Sequence, residues 1–132
     1  MPIRIVRLGS PRAPGEGTRI GTVRRPPRGV PKAEFASRDY YDVWLPLLSP
    51  EPELVQEALH AQQTQSDKDW QAFVKRFRKQ LAAPDASRTL DLLAALSHHG
   101  ALAIGCYCED EAHCHRSVLR TELAARGADI AA

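Results

Sequence analysis

The chain predicts an α/β domain: a single small unit with a mostly parallel sheet of few strands flanked by helices. Three observations carry that reading. β-branched, partly alternating runs stand near the N-terminus, a long helical stretch fills the middle, and an apolar run is followed by one more helix at the end. At 132 residues the chain is one domain of ordinary size, long enough to bury a core. It divides into a basic strand-loop region over 1–38, a helical region over 49–98 and a strand-helix region over 101–127.

Ile3 to Leu8 alternates in part and is rich in β-branched residues, which predicts the first strand. Gly9-Ser10-Pro11 ends it, and Thr18 to Val23 forms a second. Arg24-Arg25-Pro26-Pro27-Arg28-Gly29-Val30-Pro31 cannot be helix or central strand, because proline removes donors and fixes φ. A short helix follows at Lys32 to Phe35. Tyr40 to Leu48 is apolar-rich, with Trp44 and Leu45 expected inside.

Ser49 or Pro50 opens a helix that reaches about His60, with Glu51 and Glu53 at the positive end of its dipole. Asp67 or Asp69 caps the next, where Trp70, Phe73, Val74, Phe77 and Leu81 form one apolar stripe. Pro84-Asp85 breaks it, and a third helix runs through Leu90, Leu93 and Leu96. His98-His99-Gly100 closes that helix as a cap. Ala101 to Cys108 lacks clean alternation, as expected for a strand covered on both faces. A last helix runs from about Cys114 to Arg126.

The net charge of +2 hides an asymmetry. Residues 1–38 carry nine Lys/Arg against Glu16 and Glu34, a local balance of +7 that leaves −5 for the rest. Such a segment suits a phosphate-bearing partner; solvated arginines on loops are the alternative. Aromatic residues are sparse there, which argues against a single-strand stacking platform. No apolar stretch approaches the ~20 residues of a membrane span, so no membrane partner is expected. No signal peptide is visible, and three cysteines form no disulfide framework, so the expected location is a reducing cytoplasm.

All three cysteines and two of the five histidines fall within residues 106–116, beside Arg116. Cys106 and Cys108 share a strand face, and Cys114-His115-Arg116 opens the following helix, at the carboxyl end of a strand where open α/β sheets bind ligands. Helix N-termini favour anions and lower thiol pKa values. Cys114 is therefore the first nucleophile candidate, Arg116 a fork for phosphate or carboxylate, and either histidine or Glu109 an acid/base partner. The same atoms offer a metal site, in which Cys106, Cys108, Cys114 and either His113 or His115 would hold zinc or iron. Structural cysteines beside a helix cap are the third reading.

Cys108-Glu109 followed by Cys114-His115-Arg116 resembles the corner of the bacterial domain of unknown function 488 family, in its short single-domain form. Gly17-x-Arg19 leading into Arg24, Pro27, Arg28 and Gly29, then Trp44 and Pro52-Glu53-Leu54, also resemble it. That short form often has an aspartate before the loop's first arginine and a tryptophan before its proline, where this chain has Val23 and Pro26. The resemblance implies that the arginine loop and the Cys-His-Arg corner form one site. This requires the second strand to lie parallel to the last.

The combined expectation is a bacterial protein whose pocket binds an anionic small molecule or nucleic acid, with thiol-dependent transferase or hydrolase chemistry. Cys108, Glu109, Cys114 and His115 are its catalytic candidates, and Arg19, Arg24, Arg28 and Arg116 its anion-binding ones. No cofactor is assigned, zinc or iron belonging to the metal alternative. A non-catalytic nucleic-acid module using residues 1–38 is the remaining reading.

Overall fold

Four strands join in one parallel sheet, in the order β1-β4-β2-β3, in a computed structural model that describes residues 2–108 and 111–131. β1 is Ile3–Arg7, β2 Thr18–Gly21, β3 Val43–Trp44 and β4 Leu102–Cys106. Between β3 and β4 come α1 (Pro52–Thr64), α2 (Asp67–Leu81) and α3 (Pro84–Leu96); α4 (His115–Ala125) follows β4. The α/β expectation is met.

β4 is central. Ile5 and Ile20 both pair with Ile104, and Arg19 pairs with Ala103. Ala103 and Ile104 point to opposite faces and both are fully buried, so the strand is covered on each side. On one side Ile3, Ile20 and Ile104 pack with Phe73, Phe77, Leu90, Leu119 and Leu123 from the helices. A second cluster gathers Leu8, Val23, Tyr41, Cys106 and Cys114 where β4 ends.

Close strand approach depends on Gly17. Its φ is +84°, and a Cβ there would lie 2.0 Å from the Ala101 carbonyl oxygen. Glycine meets both demands.

Several boundaries differ from expectation. α1 continues one turn beyond His60, to Thr64, and ends on Gln65 in the left-handed region. Ser66, rather than an aspartate, caps α2 by accepting the Asp69 N–H at 3.2 Å. Pro84 begins α3 instead of merely ending its predecessor, since a first-turn proline has no N–H to satisfy. His98, His99 and Gly100 close α3 through their backbone N–H groups on the Ala95 and Leu96 carbonyls, while the His98 ring reaches across to the Gly127 carbonyl (2.8 Å). Trp44 is not inside: it lies on the edge strand, 43% exposed, and donates its indole N–H to the Val23 carbonyl at 2.7 Å.

Candidate functional site

β2 lies parallel and adjacent to β4, so the arginine loop and the cysteine corner leave the same edge of the sheet. They meet around a cavity of about 280 Å³. Cys106, Cys108, Cys114 and His115 line one side, Arg24 and Arg25 another, and α1 residues including Gln56 and Gln62 a third. Among the described residues, no aspartate or glutamate lines it. Of the site residues expected from sequence, Arg24, Cys106, Cys108, Cys114 and His115 thus share one cavity.

The thiols are ordered by their depth. Cys106 and Cys114 are each 1% exposed, with their sulfurs 2.6 Å apart, while Cys108 is half-buried. Either of the Cys106 and Cys114 sulfurs can donate to the other. The Cys106 and Cys114 hydrogen bonds hold the Cys108 thiol far below its ordinary value, and the Arg116 charge adds to the effect. For Cys114, the contact with Cys106 lowers the thiol pKa, but the contact with Cys108 and burial outweigh it and push it up to about 11. Of the two expected nucleophiles, Cys108 and Cys114, the half-buried Cys108 is the one that these shifts favour.

His115 donates Nε2–H to the Thr22 carbonyl at 2.5 Å, which leaves Nδ1 as the acceptor, 3.7 Å from the Cys114 sulfur. Burial lowers its pKa to about 4, so the ring is neutral near pH 7. The Cys106 and Cys114 sulfurs and a His115 ring nitrogen lie within 4.8 Å of one another, a set that could hold a soft divalent ion. Arg116 is buried, 3% exposed; it donates to the Cys108 carbonyl at 2.7 Å and its Nε has no partner among the described residues.

The remaining sequence candidates stand elsewhere. Arg19 is fully buried and makes a bidentate pair with Glu16 (both contacts 2.9 Å), with further bonds to the Ser10 and Asp39 carbonyls. It braces two loops on the sheet face opposite Ile20 and is turned away from the cavity, which corrects its reading as an anion ligand. Arg28 lines a neighbouring cavity. His113 faces a third, about 630 Å³, with Trp70, and Cys108 opens onto that one as well. Glu109 lies outside the described residues.

Thr22 and Tyr107 were missed. Tyr107 stands between the two strand-end cysteines and lines the cavity with them, which its position alone could have suggested. Thr22 acts through its backbone carbonyl, which leaves no mark in a sequence.

The family model DUF488-N3a, described as the active DUF488-N3 subclade, matches residues 3–127. The chain belongs to the DUF488 family. That match spans both the arginine loop and the cysteine corner, so the two halves of the cavity lie within one family unit. No curated protein and no solved structure matches the chain.

Proposed function

We propose that this DUF488 cavity binds a phosphate-bearing ligand and presents Cys108 to it as a thiol nucleophile. The carrying observation is the lining: three thiols and a neutral imidazole facing two arginines, with no carboxylate in the described lining and the Glu51 carboxylate 3.9 Å from the Arg24 guanidinium at the rim. Arg24 is anchored by donating to the Pro50 and Ser49 carbonyls (3.2 and 2.9 Å), which fixes its guanidinium at the rim. Buried Arg116 holds the strand end and adds positive charge beneath it. A fixed fork and background charge suit an oxyanion.

The chemistry that fits is displacement. Cys108 attacks an electrophilic centre next to the bound phosphate, the S–X bond forms, and the leaving group departs with its electron pair. Water then cleaves the S–X bond: its hydroxyl joins X, its proton balances the departed leaving group, and the thiolate returns. Calorimetric titration with ribose 5-phosphate tests the binding half: Arg24→Ala weakens it at least about tenfold, as loss of a charged hydrogen-bonding group does. No binding by the native chain rejects the reading.

A second reading is a metal centre, favoured by the clustering of Cys106, Cys114 and His115 and by the fixed His115 tautomer. Metal analysis of anaerobically purified protein separates the two. Stoichiometric zinc or iron with protected thiols selects the metal; a metal-free protein with one fast thiol selects the nucleophile.

A further inference from the structure

Beyond Tyr107 the cavity continues. A second hollow of about 620 Å³ is lined by Arg25, Pro26, Pro27, Arg28, Tyr40 and Tyr107, and it shares Arg25 and Tyr107 with the thiol cavity. One ligand can therefore occupy both without crossing a wall that belongs to neither.

Its walls are flat and its charges unspent. The Tyr40 and Tyr107 rings meet edge to face, with centroids 6.4 Å apart. Tyr107 donates its hydroxyl to the Arg25 carbonyl at 2.9 Å, which fastens the arginine loop to the strand end. Pro26 and Pro27 stiffen that loop, so less freedom is lost when a ligand seats. Arg25 and Arg28 are exposed, and neither guanidinium has a partner among the described residues. Most other arginines of the N-terminal region differ in this respect: Arg12 is paired with Asp42, Arg19 with Glu16, and Arg24 is anchored on carbonyls.

We infer that this hollow is a subsite for a planar heteroaromatic ring joined to the bound phosphate, so that the ligand is a nucleobase-phosphate unit. A second phosphate alone would use the charge and leave the faces of the two tyrosine rings without a contact. A sugar phosphate would use neither the rings nor the guanidinium plane of Arg28. A base uses all of them, stacking on tyrosine and arginine while its phosphate lies at the Arg24–Arg25 junction. The aromatic residues come from positions 40 and 107, outside the basic segment, so the sparse aromatic content of 1–38 does not count against stacking.

The inference rests on the phosphate reading above, and one titration series tells the two apart. Calorimetry on the full chain uses inorganic phosphate, ribose 5-phosphate, AMP and a thymidine hexanucleotide. The expected result is that AMP binds at least about tenfold more tightly than ribose 5-phosphate, the size of one stacked base. Arg28→Ala, at an exposed and unpartnered position, and Tyr40→Leu, which keeps apolar volume, each remove most of that advantage. Both leave ribose 5-phosphate affinity within about twofold. Equal affinity for AMP and ribose 5-phosphate, or an advantage that survives both substitutions, overturns the subsite while the phosphate site stands. If none of the probes binds, both readings fall. A hexanucleotide that binds more tightly than AMP, with a steeper loss in salt, supports the subsite with a single strand as the source. AMP binding as tight or tighter supports it with a free nucleotide.

Discussion

Replacing Arg19 by methionine tests whether that residue is a brace or a ligand. In the native fold both members of the Arg19–Glu16 pair are out of water, at 0% and 3% exposure. The substitution removes two carboxylate contacts of 2.9 Å and two carbonyl contacts of 2.8 and 2.7 Å. What remains is a buried carboxylate without a counter-ion, which costs about 3–5 kcal/mol. Set against a total of about 5–15 kcal/mol for a domain, that is a large share. A melting temperature lower by roughly 10–20 °C is expected for a chain of this size.

The pH dependence identifies the cause. Burial alone would raise the Glu16 pKa, but its hydrogen bonds to Arg19 hold it below the ordinary value. A lowered folded-state pKa gives stability that is present above the unfolded value near 4.5 and lost as pH falls. Without Arg19, burial is opposed only by the Ala13 N–H and the more distant Arg12 charge, so the pKa moves up and the variant gains stability relative to the native chain on acidification. Urea melts at pH 7 and pH 4.5 should therefore show the difference between the two proteins shrinking. Glu16→Leu combined with Arg19→Met should recover most of the loss. A loss below about 1 kcal/mol, or one independent of pH, would refute the bracing role.

Other expectations follow from the same geometry. His115 should remain neutral from pH 8 down to about 5, because burial lowers its pKa to about 4; an inflection near 6.5 in its ring resonances would contradict this. Its contribution to stability is complete above about 6.5 and declines as pH falls toward 4, since the unfolded ring takes up its proton first. Gly17→Ala should prevent accumulation of soluble folded protein, because its Cβ meets the Ala101 carbonyl at 2.0 Å with φ at +84°; a native-like circular dichroism melt would refute it. Tyr107→Phe should leave the fold intact while increasing proteolysis within the 24–31 loop, since it deletes the bond to the Arg25 carbonyl.

The sequence showed more of the helices than of the sheet edge. The Trp70, Phe73, Phe77 and Leu81 stripe is buried as its periodicity required, because an amphipathic helix carries its orientation in its own spacing. β3 is two residues long and depends on pairing with Ile20 and Gly21, so no local pattern announced it. The cysteine corner was legible because its residues are sequence neighbours on a strand and the helix after it. Its joining to the arginine loop hung on whether β2 lies beside β4, which is a long-range fact. Arg19 was misread for a related reason: its partner Glu16 is close in sequence, but the burial of the pair comes from the loops that close over it. The order among the three thiols was hidden as well, since it depends on how deeply the fold buries each sulfur.

The central claim is that an anion-binding cavity presents Cys108, and competitive alkylation tests it most directly. Iodoacetamide labelling of native protein at pH 6, followed by peptide mass spectrometry, reports which thiol reacts and how fast. The account predicts that Cys108 is labelled first, ahead of the buried Cys106 and Cys114, and that ribose 5-phosphate slows it in the native chain but not in Arg24→Ala. Labelling that begins at Cys106 or Cys114, or a Cys108 rate indifferent to the phosphate ester, would contradict it.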